Sequence, residues 1–305
     1  MTSVPRWVIG RGLLGGAIAD TTSTFPATTI DWSSPDRALA SLSLALAEFA
    51  LTVDDRWEIY WCAGRGVTST PVDVMESEGR VFAAFTDAVR HTLGVRADGR
   101  FFLASSVGGI YAGSPHPPFA ESTPPAPLSA YGRTKLAMEE SLRASVEGTS
   151  TRALVGRITN LYGSGQDLSK GQGLISALID SSVVGRPISI YVSLDTLRDY
   201  IHVDDCARII RGGVDRLGAE PAGSTTVKIV GSMTAVSIGA LIGELSRIRR
   251  RRVPIVLGQG DATGQSLDLR VRSEVWRDLD TVASTTLPEG LGELFRSRLT
   301  AHMQR

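Results

Sequence analysis

The chain has 305 residues, 42% of them hydrophobic, which is enough apolar mass for one large or two modest cored domains. Its 32 basic and 32 acidic residues cancel, so no long-range field draws it to nucleic acid or to an anionic membrane, and any anionic ligand must be held by local groups. Two cysteines, Cys62 and Cys206, are too few for a disulfide framework or a cysteine zinc site, and His91, His116, His202 and His302 lack metal-ligand spacing, so no metal is expected.

Taken in chain order, Trp7-Val8-Ile9 reads as a short buried strand running into glycines, followed by a helix over 13–19. Thr28-Thr29-Ile30 reads as a second strand ending at Asp31, and residues 37–50 place Leu39, Leu42, Leu46 and Phe49 on one helical face. An apolar run over 58–62 closes at Ala63-Gly64, and residues 74–93 form a long helix. A strand over 100–106 leads into a loop rich in Gly, Pro and Ser up to Ser129, then come a helix over 131–146 and a strand over 152–157. Further on, helices are predicted over 173–184, 204–217 and 236–248, and strands over 188–192, 226–230 and 254–257. Strands alternating with helices imply a parallel sheet covered on both faces, a Rossmann-type doubly wound α/β fold. Residues 1–10 lack the basic start and apolar run of a signal peptide, and no apolar stretch reaches membrane-spanning length, so a reducing cytoplasm is the expected setting.

Gly10-Arg11-Gly12-Leu13-Leu14-Gly15 is a G-x-G-x-x-G between a strand and a helix, the context in which such a motif holds a dinucleotide. Its glycines permit a tight turn and close approach of backbone to pyrophosphate, and the helix N-terminus offers free N–H groups. Asp31, about twenty residues on, is placed to accept the adenosine ribose 2′-OH, which favours NAD. Arg11 could instead meet a 2′-phosphate, so NADP stays open.

Tyr131 and Lys135 are four apart on a predicted helix and share a face, and the chain has only three lysines, Lys135, Lys170 and Lys228. A phenol titrates at about 10, too high for acid/base work at neutrality unless an ammonium beside it favours the phenolate. Ser106, ending the strand upstream, could hydrogen-bond the substrate oxygen that gains or loses a proton.

At these residues the chain resembles the extended short-chain dehydrogenase/reductases, the NAD-dependent epimerase/dehydratase family, in its sugar-nucleotide branch. The resemblance rests on the glycine turn, Cys62-Ala63-Gly64, Ser105-Ser106 with Tyr111, and Glu121-Ser122-Thr123-Pro124. It continues through Tyr131-Gly132-Arg133-Thr134-Lys135, Arg157-Ile158-Thr159-Asn160-Leu161-Tyr162-Gly163 and Arg198-Asp199-Tyr200-Ile201-His202-Val203-Asp204-Asp205. It implies Tyr131 as acid/base, Lys135 as its modulator, Ala63 and Gly64 beside the cofactor, and Asn160, Arg198 and Arg270 on the diphosphate of a nucleoside-diphosphate sugar. An ion pair with Asp199 or Asp204 is the alternative for Arg198. The resemblance also implies a dinucleotide-binding domain over 1–160 with a return segment near 204–230, a substrate lobe from 161–203 and 231–305, and a homodimer through the helices 74–93 and 131–146. The loop 165–173 and the strand 188–194 are expected to select the sugar and base.

Three departures bear on the reaction. The family's hydroxyl four residues before the motif tyrosine falls on Val107, one residue after Ser106. Val107-Gly108-Gly109 stands where dehydratases carry an acidic pair, which disfavours elimination of water, and this loop has no cysteine. No third strand is evident between Asp31 and Trp57, which shortens the adenine side. What remains is reversible hydride transfer at a sugar carbon, with C4 epimerisation first, 4-ketoreduction as the alternative, and a non-catalytic sensor or scaffold as a third reading that Tyr131 and Lys135 argue against.

Overall fold

The computed structural model describes residues 4–94, 97–166, 173–258 and 266–304. Five parallel strands make the main sheet: β1 (Arg6–Ile9), β2 (Arg56–Trp61), β3 (Asp98–Ser106), β4 (Arg152–Ile158) and β8 (Thr225–Val230), in the order β1-β2-β3-β4-β8. Side chains alternate between two cores, as a sheet covered on both faces requires. Trp7, Ile9, Trp57, Ile59, Trp61, Phe101, Leu103, Ala153 and Val155 face one core with α2 (Pro35–Ala50), α3 (Val72–Leu93) and α5 (Ala130–Val146). Val8, Tyr60, Phe102 and Leu154 face the other, under α1 (Leu13–Asp20) and α7 (Val203–Arg216).

The predicted strand at Thr28-Thr29-Ile30 does not form, so Asp31 ends no strand and β1 is left at the sheet edge. The physical reason lies two residues upstream of Thr28. Phe25 donates its N–H to the Arg6 carbonyl at 2.6 Å, but Pro26 has no N–H to continue a ladder, and Ala27 N–H turns back onto the Phe25 carbonyl. The segment instead packs Phe25, Ala27 and Ile30 onto the core beneath α2.

The predicted loop after β3 contains a short helix, α4 (Val107–Tyr111), which forms despite two glycines because Ser106 caps it and Ile110 and Tyr111 are fully buried. The chain leaves the main sheet after β4 through β5 (Asn160–Tyr162), α6 (Leu174–Val184), β6 (Ile188–Ile190) and β7 (Leu197–His202), and returns through α7 to β8. It then forms β9 (Ala235–Ser237), α8 (Ile238–Arg249), β10 (Ile255–Leu257), β11 (Asp268–Leu269), α9 (Arg277–Asp280) and α10 (Leu287–Met303). A second small sheet has the order β11-β7-β5 with β9 antiparallel to β7, and β6 pairs with β10. A third core under α6, α8 and α10 includes Leu178, Ile179, Leu241, Leu245 and Leu291.

One buried cation clasps these parts together. Lys228 of β8 is 1% exposed and donates to Ser273 Oγ (3.0 Å), the Val275 carbonyl (2.7 Å) and Asp280 Oδ1 (2.7 Å). Beside it, Glu121 accepts the N–H groups of Ile229 and Glu274.

Candidate active site

The glycine turn is built by close approach. A Cβ on Gly10, whose φ is +86°, would stand 2.4 Å from the Ala63 backbone, and one on Gly15 would stand 2.0 Å from the Gly10 carbonyl oxygen. Only glycine lets α1 press so tightly against the ends of β1 and β2. Gly12, the N-cap of α1, has no side-chain cap bond and open space around its Cα, so the first-turn N–H groups are free for an anion. A cavity of about 480 Å³ opens there, between Arg11, Gly12 and Leu13 on one side and Ser164, His202 and Asp204 on the other. Leu14 is buried in the α1–α7 core and contributes only backbone. This cradle fits a dinucleotide pyrophosphate. Arg11 is exposed and donates to Thr24 Oγ1 at 2.6 Å. Asp31 accepts the Ser33 N–H and faces Arg37 at 3.3 Å; hydrogen bonds from Ser33 hold its carboxyl below the usual range, so it stays ionised.

Tyr131 lies in the first turn of α5, which Ser129 caps by accepting the Gly132 N–H. Its ring is flanked by Gly109 and Gly66, where added Cβ atoms would come within 3.0 and 3.3 Å of ring carbons. Lys135, one turn on and 5% exposed, holds its ammonium 5.7 Å from the Tyr131 ring centroid. Burial pulls the Lys135 pKa down, and the Glu78 carboxylate with the Tyr131 phenol more than reverses it, so the amine stays a cation. Gly64 lies against the same ammonium. Ser106 Oγ accepts the Gly109 N–H at 3.1 Å and keeps its own proton without an acceptor among the described residues, whereas Ser105 is committed to Glu139.

Two acids here escaped the sequence reading. Glu78 of α3 lies 3.3 Å from Lys135 Nζ and accepts the Arg65 N–H. Its signal was an acid within the apolar stripe Met75, Phe82 and Phe85. Glu139 of α5, 1% exposed, takes Arg157 Nη2 at 2.6 Å, while Arg157 Nη1 donates to the Tyr111 hydroxyl at 2.6 Å. Burial lowers the Arg157 pKa and Glu139 outweighs it, leaving the guanidinium firmly charged.

Strand register carries the site onward. Ser106 is opposite Ile158, Asn160 follows two residues later, Asn160 is opposite Tyr200, and Arg198 lies two residues before Tyr200 on the same face. Asn160 Nδ2 donates to the Asp199 carbonyl at 2.8 Å. Arg198 is half-buried, bonds only the Leu197 carbonyl and has no ion-pair partner among the described residues. Burial holds its pKa below the ordinary arginine value, and Tyr200 and Asp268 offset this only in part. Neither alternative partner is used: the Asp199 carboxylate is taken by Thr159, Ser232 and Thr234, and Asp204 approaches His202. Arg270, by contrast, is exposed and paired with Asp268 at 2.7 Å. Of the loop 165–173, residues 167–172, including Lys170, lie outside the described residues, as do residues 1–3 of the amino-terminal segment. Among the described residues there is no cluster of three or more His, Cys, Asp or Glu that could hold a metal, and no helix long and apolar enough to cross a membrane.

The chain is 32% identical over 182 residues to a dTDP-L-rhamnose 4-epimerase of Burkholderia thailandensis, covering 58% of this chain and 48% of that protein. It is 27% identical over 205 residues to a dTDP-4-dehydro-6-deoxyglucose reductase of Escherichia coli, covering 65% and 61%. It thus spans about half to three-fifths of the length of these relatives. Two similar solved structures are MoeE5 with UDP-glucose and NAD (TM-score 0.78, 21% identity, 99% of this chain and 100% of that one) and RMD from Pseudomonas aeruginosa with NADPH (0.76, 20%, 98% and 100%). Their likeness establishes a Rossmann-type fold over the whole chain. The family model of the NAD dependent epimerase/dehydratase family matches residues 58–219, from β2 to the turn after α7, and with the glycine turn and the Tyr131–Lys135 helix in place the chain belongs to that family.

Proposed function

We propose that this chain transfers hydride to and from C4 of a nucleoside-diphosphate sugar, with NAD as the favoured cofactor, and that it epimerises that centre through a transient 4-keto sugar. The observation that carries this proposal is Tyr131 with a buried, charged Lys135 one turn away, at the end of the sheet that also holds the glycine turn. A bound nicotinamide would supply the acceptor and the donor for the C4 hydride. Tyr131 takes the C4 hydroxyl proton in the oxidising direction and gives it back in the reducing one, with the Lys135 ammonium beside its ring. Ser106 donates its free proton to the same oxygen. Gly10, Gly12 and Gly15 seat the pyrophosphate, Ala63 and Gly64 close that turn, and Asp31 accepts a ribose hydroxyl. Asp31 repels a 2′-phosphate, while Arg11 and Arg37 nearby leave NADP a second choice.

Arg198 and Asn160 hold the sugar's diphosphate, with Arg270 a weaker contact because Asp268 already neutralises it. A half-buried guanidinium with no carboxylate partner is costly unless an anion arrives. Arg198→Met is therefore expected to weaken binding of dTDP and UDP by about 10- to 100-fold, read by calorimetry, with NAD affinity unchanged. Equal affinity in variant and parent would remove Arg198 from the diphosphate site. A homodimer through α3 and α5 and a cytoplasmic place of work come with this proposal, on the family resemblance.

The alternative is a 4-ketoreductase with exchangeable NADH or NADPH. The missing strand beside β1 favours it, because a shortened adenosine side holds the dinucleotide less tightly. Mass spectrometry of nucleotide released by heat from the purified protein separates the two. Near-stoichiometric NAD supports the epimerase, and an empty protein that binds NADH or NADPH supports the reductase. A protein that binds neither overturns both.

A further inference from the structure

In a doubly wound domain two strands usually lie beyond the first, and the adenosine half of a dinucleotide rests over them. Here β1 is the edge, and nothing in the sheet lies beyond it. The direction of a bound dinucleotide is nevertheless constrained. Its pyrophosphate is at the α1 N-terminus over β1, and its nicotinamide must reach Tyr131 and Ser106 over β3 and β4. The adenosine therefore runs the opposite way, past the β1 edge, onto the segment that carries Asp31 and Trp32.

Trp32 is 41% exposed, and among the described Trp, Tyr and Phe rings it and Tyr191 are the exposed ones. Its ring is not loose. It meets Trp61 edge-on at 6.1 Å and 85°, and Trp61, the last residue of β2 and 1% exposed, is wedged against Phe82 at 5.0 Å and Phe85 at 5.1 Å. Trp61 is followed within two residues by Ala63, whose backbone touches Gly10 of the phosphate turn. Trp32 is thus held by packing on the ring that precedes Ala63 of the phosphate turn, and Asp31, the ribose acceptor, is its neighbour in the chain. A base and its ribose are linked just as closely.

We infer that Trp32 is a stacking platform for the adenine base, standing in for the strand this domain lacks. The inference rests on the dinucleotide proposal above. Stacking needs a π face on the ligand, and the base that lies past the β1 edge is the adenine, so the platform acts on the adenosine half.

The test compares NADH with reduced nicotinamide mononucleotide, which lacks adenosine. Trp32→Ala is expected to lower NADH affinity by about 10- to 100-fold, and Trp32→Phe by less, with mononucleotide binding unchanged in both. Energy transfer from protein tryptophan to bound NADH should fall in Trp32→Phe at saturating ligand. NADH affinity within twofold of the parent in Trp32→Ala overturns the platform and leaves the dinucleotide site standing. A parent protein that binds neither NADH nor NADPH overturns both.

Discussion

Tyr131→Phe is expected to lower turnover by about two to four orders of magnitude while leaving NAD binding intact. The substitution removes one oxygen and keeps the ring that fills the slot between Gly66 and Gly109. Lys135 stays where it is, because Glu78 at 3.3 Å and burial hold it without help from the phenol. What is lost is the group that moves a proton to and from the sugar oxygen. The measurement is cofactor absorbance at 340 nm in single turnovers with a panel of UDP- and dTDP-hexoses, alongside a binding titration. Turnover retained within tenfold would take the proton-transfer role away from Tyr131. Loss of NAD binding together with turnover would instead mean that the tyrosine serves the cofactor first.

The second large effect is on stability. Glu139→Ala is expected to cost about 3–5 kcal/mol in unfolding free energy, read from urea denaturation, because it strands the Arg157 guanidinium and the Ser105 hydroxyl in a dry interior. The double variant Glu139→Leu with Arg157→Met should recover much of that loss, since an apolar pair of similar volume leaves no buried charge behind. A single-variant cost under about 1 kcal/mol would mean that water reaches the pair. The same network fixes the site. Glu139 is one turn beyond Lys135 on α5, Ser105 precedes Ser106, and Arg157 reaches Tyr111 at the end of α4.

Much of the chemistry was legible because it is local in sequence. The glycine turn and the Tyr131–Lys135 spacing are short motifs, and the central strands are uninterrupted apolar runs bounded by turn residues. Glu78 and Glu139 were not legible as partners, since their contacts lie 57 and 18 residues away and appear only when α3 and β4 pack on α5. Strand β7 was hidden because Arg198, Asp199 and His202 break its apolar pattern, each having polar work to do. The false strand at Thr28-Thr29-Ile30 came from β-branched residues whose pairing Pro26 forestalls. Helix α10 was missed as well, although its start carries a signal: Thr286 and Glu289 form a capping box, with Pro288 in the first turn.

The Lys228 clasp sets an order of events in folding. Strand β8 completes the main sheet, yet its ammonium finds its acceptors only in residues 273–280, and its backbone is gripped by Glu121, more than a hundred positions upstream. Both loops must close over that strand before its buried charge is satisfied, and such distant closures come late and slowly. As the chain emerges from the ribosome, β1 to β4 can assemble early from neighbouring segments. The buried lysine of the fifth strand finds its acceptors only once some fifty further residues have been made.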